Sequence, residues 1–147
     1  MVEVRLCKKE EIEEVVKLSS EFEEEGCCNG VKSDNYEYFL ARKVVVAIDE
    51  GKIIGYAHGG EEVEEKDRTY AKAGDKYFEL DEIYVKKEYR SQGVGKMLYW
   101  YLEAMASMKG CKTVRLNAVS KDYKKLLNLY IDELGMEFIS AYLVKQI

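Results

Sequence analysis

The chain has 147 residues, 47% hydrophobic and 12% aromatic, which suits a single domain over residues 1–147 with its own core and excludes low-complexity disorder. A formal net charge of -5 argues against general nucleic-acid binding, no apolar run approaches the ~20 residues of a membrane span, and without a signal-like N-terminus a cytoplasmic protein is expected. The charge is uneven: residues 1–82 carry 12 Lys/Arg against 22 Asp/Glu and residues 83–147 carry 11 against 6, so the first part suits a cationic ligand and the second an anionic one.

In chain order, residues 2–6 alternate apolar and polar as a half-buried strand does. Ile12, Val15, Val16, Ser19 and Phe22 then recur at helical spacing, with glutamates on the outer face, and predict an amphipathic helix over 9–25. Residues 26–34 read as a loop, and Asp34 or Asn35 caps a short helix near 35–41. A β-branched run at 43–48, a turn at 49–51 and a return strand at 52–58 predict a hairpin. The polar stretch 59–76, with glycines at its start, reads as a long acidic loop.

Residues 77–85 predict the next strand, with an irregularity. Phe78 and Leu80 share one phase and Ile83 and Val85 the other, and the switch falls at Asp81-Glu82. One extra residue in a β-bulge produces such a phase change. A helix over 93–109, a strand over 112–119, a helix over 120–134 ending at Gly135 and a strand over 136–145 complete the pattern, which implies a mixed sheet covered by helices on both faces.

Cys7, Cys27, Cys28 and Cys111 match no zinc spacing, so no metal is expected, and one histidine, His58, rules out a His-rich site. The informative segment is 84–96, YVKKEYRSQGVGK, where a strand runs through a basic turn into a helix that opens on glycines. Unpaired N–H groups at a helix start, the helix dipole and the missing Cβ of glycine together make an anion site. A nucleotide-phosphate site is another reading, but neither the ATP-type loop nor the dinucleotide turn is present.

Arg90-Ser91-Gln92-Gly93-Val94-Gly95 resembles the R/Q-x-x-G-x-G/A turn of the GNAT N-acetyltransferase superfamily, and the resemblance extends over almost the whole chain. ELDEIYV is similar to that family's fourth strand, KTVRLNAV to its fifth, and KLLNLYIDELGMEF to its last helix-turn-strand. The resemblance implies an α+β fold with a mixed, mostly antiparallel sheet, helices on both faces, and splayed fourth and fifth strands. It implies acetyl-CoA as co-substrate. Arg90, Ser91, Gln92, Gly93, Val94, Gly95 and Lys96 then hold the pyrophosphate, and Ile83, Tyr84 and Val85 pair with the pantetheine arm. Asn117 in the fifth strand is a further candidate partner.

Direct transfer to a primary amine needs a base for the ammonium, N–H donors for the oxyanion and a proton for the thiolate. Asp81 is the first candidate for the base, with Glu82 and Glu79 as alternatives; backbone N–H groups of Ile83 or Tyr84 serve the oxyanion. Tyr130 is the candidate acid, although its spacing to Gly135 is one residue longer than the family's Tyr-x-x-x-Gly; Tyr123 is the alternative. The acidic first half points to a cationic acceptor, a small polyamine or aminoglycoside or a peptide amine. A homodimer is compatible with this reading. The rival reading is a CoA-binding module without catalysis.

Overall fold

The computed structural model describes residues 1–147. Its sheet has five strands in the order β1 (Glu3–Leu6), β2 (Lys43–Asp49), β3 (Lys52–Val63), β4 (Lys76–Val85) and β5 (Thr113–Arg115). The first three pairings are antiparallel and β4–β5 is parallel. Helix α1 (Ile12–Glu25) buries Ile12, Val15, Leu18, Ser19 and Phe22. Together with α2 (Tyr36–Leu40) it covers one face of the sheet, around Phe39, Val44, Val46, Tyr56 and Tyr84. Helix α3 (Val94–Met108) covers the other face through Val94, Leu98, Tyr99, Leu102 and Ala106. Each such buried aliphatic or aromatic side chain stabilises the fold by ~1.5–3 kcal/mol. Gly26 and Gly110, both in the left-handed region, stop α1 and α3. Asn35 caps α2 by accepting from the Tyr38 N–H at 2.9 Å.

The phase change in β4 is a bulge. His58 pairs with Glu82 and Gly59 with Leu80, so Asp81 is the additional residue. Phe78, Leu80, Ile83 and Val85 consequently all join the α3 side, while Asp81 and Glu82 project together toward α1 and α2.

Three expectations are corrected. The expected loop over 59–76 is shorter, because β3 continues to Val63 and its N-terminal glycines are strand residues. A Cβ on Gly59 would sit 2.1 Å from the Glu79 carbonyl oxygen, so glycine marks close backbone approach at the bulge and not a turn. The strand expected over 112–119 keeps only Thr113–Arg115; beyond it the chain leaves β4, and Val119 and Lys121 instead exchange backbone hydrogen bonds with Asn29 and Cys27. Asn117 therefore lies outside any strand and is exposed. The strand expected over 136–145 does not form: alternation gives a segment β-character but no neighbour, and Tyr142 stays 93% exposed.

The last helix resolves the irregular Tyr–Gly spacing. Helix α4 (Tyr123–Leu127) passes into a π turn over Asn128–Glu133, where the Leu134 N–H reaches the Leu129 carbonyl five residues back. A π turn holds one residue more than an α turn, so it absorbs the additional residue while Tyr130 stays buried.

Candidate active site

Two regions meet along β4. The first is the start of α3. Gly93 lies at φ +82 as the N-cap, a conformation that glycine adopts without penalty. Cβ atoms built on Gly93 and Gly95 meet nothing within 4 Å, so the turn opens outward, and the first helical N–H groups have no partner within the helix. The turn is fastened from behind. Arg90 Nε donates to the Val85 carbonyl at 2.8 Å, and its Nη2 donates to both Glu25 carboxylate oxygens at 2.8 Å. The Tyr84 hydroxyl reaches the same carboxylate at 2.6 Å. Arg90 thus faces inward. Lys96 bonds Glu133 at 2.8 Å, Gln92 donates to the Glu88 carbonyl at 3.3 Å, and Ser91 is exposed in the left-handed region.

The two regions are joined by the edge of β4. Parallel pairing with β5 ends at Glu79–Arg115, so from Leu80 to Val85 the strand is paired with β3 alone. Ile83, Tyr84 and Val85 lie on that open edge. Strands four and five are splayed as expected.

The second region is the acidic floor under α1 and α2, centred on His58, which sequence reasoning left without a role. No motif surrounds His58 in the chain; its partners come from the α1–α2 loop, α2 and β4. The ring is buried, with Phe39 edge-on at 5.0 Å and Tyr56 stacked at 5.9 Å. Nε2 lies 3.2 Å from Glu82 Oε2 and 3.6 Å from Asp34 Oδ2, and Nδ1 lies 3.3 Å from Asp81 Oδ2. Burial works against the imidazolium, but Asp81 and Glu82 outweigh it and raise the His58 pKa. The crowd of acids, with burial first, raises that of Asp34.

The two bulge acids have different partners. Asp81 Oδ2 accepts from Arg42 Nε at 2.8 Å and from the Tyr38 hydroxyl at 3.0 Å, with Arg42 Nη2 at 2.6 Å. Burial raises its pKa, yet His58 and Arg42 prevail and hold it below the ordinary carboxylate value. Arg42 reaches it by lying over Gly60, where a Cβ would come within 2.3 Å of Nη1. Glu82 accepts from the Tyr56 hydroxyl at 2.9 Å and faces His58, with no arginine on it. Glu79 is held by Arg115 at 3.0 Å.

Tyr130 packs edge-on to Tyr99 at 6.3 Å, and burial pushes its pKa up to about 12. Its hydroxyl is not shut in, since His58 Nδ1 is the only buried side-chain polar atom without a partner. Tyr123 is mostly exposed.

The family model described as "Acetyltransferase (GNAT) family" matches residues 10–136, most of the chain. The chain belongs to the GNAT acetyltransferase family. No curated protein matches it. Solved structures that resemble this GNAT chain include aminoglycoside N-acetyltransferase AAC(6')-Iy in complex with CoA (18% identity, TM-score 0.75, 100% of this chain and 95% of that one). A ribosomal-protein-alanine N-acetyltransferase from Brucella melitensis biovar Abortus 2308 aligns at 22% identity and TM-score 0.71 over 99% of each chain. A transcriptional regulator from Bacillus halodurans C-125 aligns at 17% identity and TM-score 0.73 over all of both chains. At these identities the likeness establishes the GNAT fold. No helix is long and apolar enough to cross a membrane.

Proposed function

We propose that the protein transfers an acetyl group from acetyl-CoA to a primary amine on a cationic small molecule or peptide. The observation that carries this reading is the β4 bulge: it brings Asp81 and Glu82 together against His58 at the point where the strand's outer edge comes free, on the strand that leads into the glycine-edged start of α3. The open space over Gly93 and Gly95 fits a diphosphate, and Gln92, Gly93, Val94, Gly95 and Lys96 are the residues that would hold it. The thioester supplies the activated acyl group.

The groove contributes the rest. Glu82 is the better base, because Arg42 neutralises Asp81 and Tyr38 donates to it, holding it as a positioning residue. Tyr56 and His58 orient Glu82 toward the incoming ammonium, which must lose a proton near pKa ~10.4 before it attacks. The free β4 edge offers one N–H of the pair Ile83 or Tyr84 to the developing oxyanion, since consecutive strand N–H groups face opposite edges. Tyr130, kept protonated by burial and with a hydroxyl that is not fully enclosed, is the candidate proton donor for the leaving thiolate. The acids Asp34, Asp81 and Glu82 favour a cationic acceptor, a reading supported by the aminoglycoside N-acetyltransferase among the structural neighbours.

The test is an amine panel, incubated with acetyl-CoA and read as free thiol. Amine-dependent thiol release is the expected result. Thermal stabilisation by CoA with no release for any amine would instead identify a CoA-binding module.

A further inference from the structure

We propose that Asp34, His58 and Glu82 form a binding site for a divalent transition-metal ion of the zinc class on the acidic floor. The three residues come from the α1–α2 loop, β3 and β4, and their ligand atoms all lie within 4.8 Å of one another. The separations from His58 Nε2 are 3.2 Å to Glu82 Oε2 and 3.6 Å to Asp34 Oδ2. Tetrahedral zinc, with bonds of ~2.0–2.2 Å to nitrogen and oxygen, places neighbouring ligand atoms roughly 3.3–3.5 Å apart, so the two edges of the triangle that meet at the histidine, 3.2 and 3.6 Å, lie close to that length and need only a small adjustment.

The second observation is the state of the ring. His58 Nδ1 is buried without a hydrogen-bond partner, 3.3 Å from Asp81 Oδ2 but out of line with it. In the neutral ring with its proton on Nε2, donated to Glu82, the opposite nitrogen turns a lone pair on the Asp81 carboxylate, a conflict that a second ring proton or a metal relieves. A metal at Nε2 removes that conflict: the proton resides on Nδ1, and a small ring rotation directs it to Asp81. This is the carboxylate–histidine–metal arrangement that orients metal-bound imidazoles, and Arg42 already fixes Asp81 in place. Binding displaces the Nε2 proton, so uptake strengthens as pH rises. One imidazole and two carboxylates favour zinc, cobalt and their neighbours over calcium or magnesium, which prefer all-oxygen shells. Asp34 is 26% exposed, which leaves the groove side open to a water as fourth ligand.

The metal site stands independently of acyl transfer. One consequence does rest on that reading: Glu82 cannot ligate a metal and receive the amine proton at once, so the bound metal is an inhibitor.

Titration of the full chain with Co²⁺ under reducing conditions tests the site without any activity measurement. One equivalent is expected, with visible d–d bands, no near-UV thiolate charge-transfer band, and displacement by Zn²⁺. Asp34→Asn, on a partly exposed loop, should weaken Co²⁺ at least tenfold while the circular dichroism stays native, and His58→Gln should weaken it further. Asp81→Asn, acting through the ring, should cost about 10-fold or more. A Cys27→Ser/Cys28→Ser double variant should bind as the native chain does; its two Sγ atoms lie 4.0 Å apart and are the competing donors nearby. No uptake at ~0.1 mM Co²⁺, a thiolate band lost in the double variant, or native affinity in Asp34→Asn would each overturn the proposal. The thiol-release assay in chelator-treated buffer is read separately, so failure of one reading does not carry the other with it.

Discussion

The start of α3 and the acidic floor both adjoin β4 but are built in opposite ways. The turn is contiguous in sequence, open to solvent, and works through backbone: Gly93 and Gly95 have nothing over them. The floor joins residues that are far apart in the chain, from Asp34 to Glu82, around a buried ring, and works through side chains. Glycine marks both, with opposite meaning. At Gly95 the missing Cβ leaves room for a ligand, whereas at Gly59 and Gly60 it leaves room for the Glu79 carbonyl and for Arg42. On the proposed function, fixed backbone donors serve a phosphate group and side chains whose charge the surroundings set serve the reaction.

The sharpest way to break this comparison is at the bulge. Glu82→Gln should lower turnover by ~10²–10⁴-fold, the range of a general base, and the deficit should shrink between pH 7 and 9.5 as the amine deprotonates unaided. Asp81→Asn should cost less and show little of that pH dependence, because Asp81 already holds Arg42 and Tyr38. The reverse order would return the base to Asp81.

Tyr130→Phe comes next, with about a 10²-fold loss in turnover at unchanged acetyl-CoA affinity. The hydroxyl makes no internal hydrogen bond, so the melting temperature should hold. An unchanged rate would leave thiolate protonation to a water.

The glycines give the third contrast. Gly95→Val should fold normally, since its Cβ meets no protein atom, yet lose the stabilisation by CoA, ~2.7 kcal/mol at 100-fold over its dissociation constant. Gly59→Ala should do the opposite. Its Cβ would lie 2.1 Å from a carbonyl oxygen and 2.5 Å from the Phe78 ring, so chemical denaturation should register a loss of ~1–3 kcal/mol. CoA should still stabilise what remains folded. Destabilisation by Gly95→Val without loss of the CoA response would erase the distinction.

What the chain order dictated and what three-dimensional assembly added divide along the same line. Local pattern was sufficient for α1, α2, the β2–β3 hairpin, α3 and the glycine turn, because helical period, cap residues and glycine at a helix start are short-range properties. Even the bulge was legible, since a phase slip between Leu80 and Ile83 is visible within ten residues. The sequence did not disclose that β5 stops at Arg115 or that residues 136–145 find no neighbour, because alternation encodes a strand's faces and not its partner. Nor did it assign His58. A single histidine in an apolar run has no local signature, and its role arises when β3 places it against Asp34, Asp81 and Glu82. Which bulge acid meets the arginine was likewise a tertiary decision, made by Arg42 crossing Gly60 to pair with Asp81 while Glu82 is left to Tyr56 and His58.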